Sequence, residues 1–240
     1  MATQIEGTPP PTLSPRYEGR LELTWTNKPL RLLAHDDGQY EWVAPSDYRV
    51  AEVHLLRDRD SVGTASGTGG RAKDSLLVQG DALNALTSLV SLPEFAHEYV
   101  GQVRLCYIDP PFNTRQSFLQ YDDTLEHSVW LTILRDRMAL IRDLLAEDGS
   151  LWVHLDDSEM PYCKVLLDEL FGRSDFVAQI TIELNPKGRQ LDRFFATSHD
   201  YLLIYGKSIR HVRLHTANIG RPGSRLDSGA PTCGRERVLV

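Results

Sequence analysis

The sequence predicts an α/β fold: a mostly parallel sheet with an antiparallel hairpin at one edge, preceded by a small β-rich element. Three observations predict it. From residue 75 onward, short apolar runs alternate with amphipathic helical stretches, the pattern of a parallel sheet covered on both faces. Two late apolar runs, 176–184 and 201–206, leave no room for a helix between them and are expected to pair as a hairpin. Residues 20–56 read as short extended pieces.

The elements follow in order. "RLELTWT" alternates apolar and polar residues, and "YEWV" follows a turn at "DDGQ", 36–39. Residues 57–74 are rich in glycine, serine and charge. Gly63, Gly67, Gly69 and Gly70 cluster there, but a dinucleotide-binding loop needs a strand before it and a helix directly after. The next element is an apolar strand, so the segment reads as a linker. "LLVQ" (76–79) is that strand, and Gly80-Asp81 turns into the helix "ALNALTSLV". "VRLCYI" (103–108) is a buried strand. A long helix is predicted over about 127–146, where Leu134, Met138, Ile141 and Leu145 share one apolar face. Asp148-Gly149 is expected to end it. "SLWVHL" (150–155) is the third strand, and Asp156-Asp157-Ser158 starts a helix that Gly172 caps. The expected division is a leader at 1–19, the β-rich element at 20–56, the linker at 57–74, an α/β unit at 75–208 and an irregular basic tail at 209–240.

Composition narrows the function classes. With 41% hydrophobic and 25% charged residues the chain is ordinary for a globular protein. No apolar run approaches the roughly 20 residues needed to span a bilayer, so no membrane role is expected. The first 19 residues have neither the basic nor the apolar region of a signal peptide. Cys106, Cys163 and Cys233 are too few and too scattered for a disulfide framework or a zinc site, which fits a cytoplasmic setting, and the histidines never fall at metal-ligand spacing. Residues 75–184 carry 7 basic and 18 acidic side chains, whereas 185–240 carry 10 and 4. An acidic body with a basic end suits a polyanion met through one face, and a solvated tail would look the same.

The chemistry concentrates at "VRLCYIDPPFNTRQSF", 103–118. Asp109 stands at the carboxyl end of a strand, where open α/β sheets bind ligands. Asp-Pro-Pro alone is also a good strand-stopping turn. Together the residues suit one reaction, methylation of an exocyclic amine on a base. The amine lone pair is delocalised into the ring, so the nitrogen is a poor nucleophile. A carboxylate that accepts one N–H draws it toward tetrahedral geometry and stabilises the developing charge. The Pro110 carbonyl can accept the second N–H, with Pro111 fixing the backbone. Phe112 offers a flat face for a base rotated out of the duplex, worth about 1–3 kcal/mol.

"IDPPFNT" resembles the D-P-P-Y/F motif of the β-class amino-methyltransferases, which include the modification subunits of type III restriction systems. "LLVQGDALNAL", the long helix with "GSLWVHLDDSE", and "FVAQITIELNPKGRQLDRFFATSHDYLLIYGKS" are similar to neighbouring family segments in the same order, over about 75–208. The resemblance implies a partial Rossmann-like class I methyltransferase sheet, S-adenosyl-L-methionine as cofactor and adenine N6 in double-stranded DNA as target. It implies that Asp109, Pro110, Pro111 and Phe112 hold the base and that Asn113 borders the cofactor. Asp81 is then a cofactor contact, or simply the N-cap of its helix. Asp156 and Asp157 read as helix-start residues. Lys187, Arg189 and Arg193 suit DNA phosphates or a solvated loop. Phe194 and Phe195 suit the base pocket or the core.

Nothing in 209–240 resembles the family's glycine-rich cofactor motif, and no target-recognition region is visible. The chain is therefore expected to be the catalytic half of a larger enzyme, completed by another methyltransferase segment or a restriction subunit. Alone, it is expected to bind the cofactor weakly and to methylate poorly or not at all. A DNA-associated remnant without turnover is the second reading. An RNA or protein-glutamine methyltransferase is a third, disfavoured by Asp at 109.

Overall fold

A computed structural model describes residues 21–35, 38–62, 75–111, 117–118, 121–122, 126–184, 198–214 and 236–239. The chain begins with β1 (Arg31–Ala34) and β2 (Tyr40–Val43), an antiparallel pair. The turn between them brings the His35 and Gln39 backbones together at 2.9 Å, with Gly38 at φ 81°. A 3-10 turn at Tyr48–Ala51 leads to β3 (Asp58–Val62) and β4 (Ser75–Val78). Then come α1 (Ala82–Ser91), α2 (Pro93–Tyr99) and β5 (Val103–Ile108). The two-residue strands β6 (Ser117–Phe118) and β7 (Tyr121–Asp122) pair with each other. They are followed by α3 (His127–Leu144), β8 (Leu145–Leu155), α4 (Met160–Leu170), β9 (Phe176–Glu183), β10 (His199–Gly206) and β11 (Glu236–Leu239).

The central sheet has the order β5-β8-β10-β9. β5 and β8 pair parallel, whereas β10 pairs antiparallel with both β8 and β9. Three of the four strands thus run the same way, and β10 alone runs back between two of them. This is the expected α/β sheet with its hairpin at one edge. The core lies between this sheet and α3 and α4. Trp130, Leu134 and Met138 of α3 pack with Val153 of β8, Leu167 of α4 and Leu203 of β10, all nearly inaccessible to solvent. Burial of this kind stabilises by roughly 1.5–3 kcal/mol per large apolar side chain.

Four expectations are corrected. "RLELTWT" is not a strand. Its apolar residues Leu23 and Trp25 pack against the core instead, and the Trp25 indole donates to Thr132 Oγ1 at 2.9 Å. Arg135 of α3 holds the following turn by donating to the carbonyls of Lys28 and Leu30. Asp148-Gly149 does not end the long helix. α3 stops at Leu144 and β8 starts at once, taking Gly149 into the strand. A Cβ on Gly149 would lie 2.6 Å from the Val103 carbonyl, so glycine is what lets β5 come this close at its register shift. The segment read as a linker contains β3, and the tail read as irregular contains β11. β11 joins β3 antiparallel and β4 parallel in a three-stranded sheet. Consequently β4 and β5 lie in different sheets. Residues 1–20, 63–74 and 215–235 lie outside the described residues.

Candidate active site

The first strand residue not bonded into the ladder is the one expected to act. β5 ends at Ile108, and Asp109 follows at the carboxyl edge with its side chain 61% exposed. Pro110 and Pro111 follow it. The Trp130 indole N–H donates to the Pro111 carbonyl at 2.7 Å. Trp130 itself is 1% exposed, in the first turn of α3. A buried side chain of the main helix therefore holds the two-proline turn in place. Phe112 and Asn113 lie outside the described residues, as do Lys187, Arg189, Arg193, Phe194 and Phe195.

The sheet register brings further polar groups to Asp109. Tyr107 lies opposite Trp152, and Leu202 lies opposite His154. Side chains alternate along a strand, so Tyr107, Asp109, His154 and Asp200 share one face. His154 Nδ1 is 3.1 Å from the Tyr107 hydroxyl and 3.8 Å from Asp109 Oδ1. Its Nε2 is 3.0 Å from Asp200 Oδ2. The imidazole and Asp200 are mostly buried, with side chains 16% and 10% exposed. Sequence reasoning missed both residues. The available signal was a histidine inside an otherwise apolar strand, two positions before an acid pair, and an aspartate just before the apolar run "YLLIYG".

Asp156 and Asp157 follow β8 at the same edge. Asp156 accepts from the Ser158 backbone N–H at 2.9 Å in the turn before α4, whose N-cap is Glu159 and not Asp156 or Asp157 as a helix start there would have it. His199 Nε2 lies 2.9 Å from the Tyr201 hydroxyl and 3.9 Å from Asp157 Oδ1. A hydrogen bond to Asp157 holds the Tyr201 phenol above its ordinary pKa. Burial pushes the Asp156 carboxyl above the usual aspartate range, and Asp200 and Asp157 add to this against the lowering effect of Ser158. A proton is thus held more tightly folded than unfolded. The stability associated with Asp156 is full below the ordinary aspartate pKa and is lost as pH rises through the raised one. Asp156→Asn, which keeps an acceptor for Ser158, is expected to raise Tm by about 1–2 °C near neutral pH. The gain should vanish in acid, and thermal melts across pH check it.

Asp81 stands at the start of α1. It is the N-cap of α1: Oδ1 accepts from the Leu83 and Asn84 backbone at 2.8 and 3.2 Å. Its Oδ2 meets Arg137 of α3 at 2.7 Å. The helix-cap alternative therefore describes its geometry, and both oxygens are engaged.

The fold and this edge define an α/β chain with an aspartate-proline-proline sequence at the carboxyl end of a parallel strand. Residues 103–225, just over half the chain, match the N6_N4_Mtase family, described as DNA methylase. The chain belongs to that family. It is 39% identical over 149 residues to the "Probable type III restriction-modification enzyme HindVI Mod subunit" of Haemophilus influenzae, covering 61% of this chain and 19% of that protein. It is 30% identical over 164 residues to the type III EcoPI Mod subunit of Escherichia phage P1, covering 56% and 24%. The chain thus spans about a fifth to a quarter of the length of these relatives. TTHA0409 of Thermus thermophilus, described as "Putative DNA Modification Methylase" and solved with S-adenosyl-L-methionine bound, overlaps with a TM-score of 0.42 at 18% identity, over 60% of this chain and 56% of that one. That overlap is partial, and family membership rests on the sequence match. Among the described residues, no helix is long and apolar enough to cross a membrane.

Proposed function

We propose that this chain supplies the base-holding part of a DNA methyltransferase that moves a methyl group from S-adenosyl-L-methionine to adenine N6 in double-stranded DNA. The observation that carries the reading is Asp109 at the carboxyl end of β5, with the following prolines pinned by the Trp130–Pro111 hydrogen bond, in a member of the DNA methylase family. Asp109 accepts one amine N–H and the Pro110 carbonyl accepts the other. Both acceptors favour the nitrogen as it becomes positive, more than they favour the resting amine. Pro111 fixes the turn, and Phe112 stacks on the ring.

S-adenosyl-L-methionine, when bound, supplies the methyl group. Asn113 would border it. The two acceptors at Asp109 and Pro110 fit the two N–H groups of the base amine. Asp81 fits the cofactor only if its carboxylate leaves Arg137, because both oxygens are engaged. Lys187, Arg189 and Arg193 would meet backbone phosphates from the basic end of the chain. Turnover would require a complementing methyltransferase segment, with a restriction subunit as a further partner.

The test is transfer of tritiated methyl from the cofactor to mixed-sequence duplex DNA, with the chain in excess. It is run alone and with the remaining part of an EcoPI-type Mod subunit. The expected product is N6-methyladenine, scarce with the chain alone and abundant with the complement. Label on cytosine, or no label in DNA with the complement present, would overturn the reading.

A further inference from the structure

The base-holding carboxylate has a histidine directly behind it. His154 occupies the β8 position opposite Leu202, while its neighbours Val153 and Leu155 point into the core at 0% exposure. An imidazole in such a strand needs polar partners on its own face. Asp200, the diagonal neighbour on β10, lies 3.0 Å from Nε2. A carboxylate only accepts hydrogen bonds, so in the neutral ring the Asp200 contact places the proton on Nε2 and leaves a lone pair on Nδ1. That lone pair faces the Tyr107 hydroxyl at 3.1 Å and Asp109 Oδ1 at 3.8 Å.

We propose that His154 is a positioning residue that receives, through Asp109, the proton released when the base amine is methylated. This role rests on the functional reading above. The amine nitrogen forms its bond to the methyl carbon, and the bond from that carbon to the sulfonium sulfur breaks, with the electron pair leaving on sulfur. The nitrogen is then positive and gives up a proton to Asp109 Oδ1. A shift of about 1 Å brings Asp109 from 3.8 Å to hydrogen-bond distance of Nδ1, and the proton passes on. Asp109 returns to its ionised form. The imidazolium left behind has Asp200 on one nitrogen and Asp109 on the other, and Tyr107 changes from donor to acceptor.

The groups facing His154 favour this direction. β5 presents Tyr107 and Asp109, β10 presents Asp200, and Asp156 stands beyond the end of β8 close enough to interact with Asp200. The charges named are all negative. Asp200 is itself buried, so its hold on the ring is little weakened by solvent. The arrangement follows the same logic as any base whose tautomer a buried carboxylate fixes.

Two measurements test it on the full chain. In the first, nitrogen NMR of histidine-labelled protein reads the His154 ring. Protonated Nε2 with bare Nδ1 is expected, and Asp200→Asn should move population to the other tautomer. Bare Nε2 in the unaltered chain would overturn the proposal. In the second, the complemented transfer assay compares His154→Ala and His154→Gln with the unaltered chain at matched folded fraction. The alanine variant is expected to lose about 10²-fold in kcat with KM for DNA within about twofold. Added imidazole should restore part of the rate, increasingly as pH rises and more of it is unprotonated. A wild-type rate in both variants, or a loss that imidazole leaves unchanged, would overturn the proposal. Failure of the unaltered chain to methylate adenine would instead count against the functional reading, and the ring-nitrogen result would then decide the tautomer on its own.

Discussion

Asp109→Ala is expected to abolish methyl transfer while leaving the fold intact. The side chain is 61% exposed and approaches His154 only to 3.8 Å, so its removal should shift Tm by no more than about 2 °C. Its chemical effect is of another order. Without the carboxylate, the amine nitrogen loses the acceptor that favours its tetrahedral, positive form, and one such preorganised contact is worth about 10²–10³ in rate. The proton path to His154 is cut as well. Transfer of tritiated methyl with the complemented chain, beside a thermal melt, separates the two effects. Asp109→Asn refines the test, because the amide keeps the size and one acceptor but accepts no proton. If either variant transferred methyl at the rate of the unaltered chain, the assignment of Asp109 to the base amine would be wrong.

What the sequence disclosed depended on the range of the interaction. The apolar face of α3 was legible because Leu134, Met138 and Ile141 recur at helical spacing, and those residues do line the core. The hairpin of β9 and β10 was legible because two apolar runs stand close together in the chain. Asp109 was legible because a carboxylate and two prolines follow an apolar run, although β5 is not the buried strand expected, with Leu105 57% and Tyr107 52% exposed. Its setting was not. His154 and Asp109 are 45 positions apart and meet only through the parallel pairing of β5 with β8. No local pattern reports which strand becomes the neighbour.

The same limit explains Asp81. An N-cap and a cofactor-binding carboxylate are the same residue after the same turn, and Arg137, which engages it here, comes from a helix 56 positions away. β11 shows the limit at its plainest. Four residues in a stretch dominated by turn formers gain their strand from β3 and β4, which lie about 160 or more positions earlier. The alternation in "RLELTWT" was real, but it served docking onto α3 rather than a ladder, because Trp25 found a partner in Thr132.

Trp130 links the core to the chemistry, and its replacement is the second large effect expected. Trp130→Ala should cost about 3–5 kcal/mol in urea unfolding, because a fully buried indole leaves a cavity among Leu134, Val153 and Leu167 that the packed sheet cannot close. That loss alone would say little about function. Trp130→Phe separates the two roles. The ring keeps most of the apolar contact, so the stability cost should be nearer 1–2 kcal/mol, but the hydrogen bond to the Pro111 carbonyl is gone. The Asp109-Pro110-Pro111 turn then lacks its inward anchor. A displacement of about 1 Å at a reacting group can cost 10²-fold in rate. The phenylalanine variant is accordingly expected to stay folded at 25 °C and still lose at least about tenfold in methyl transfer, mainly in kcat. Transfer at the unaltered rate in a folded Trp130→Phe chain would show that the prolines hold their turn without α3, and would restrict Trp130 to the core.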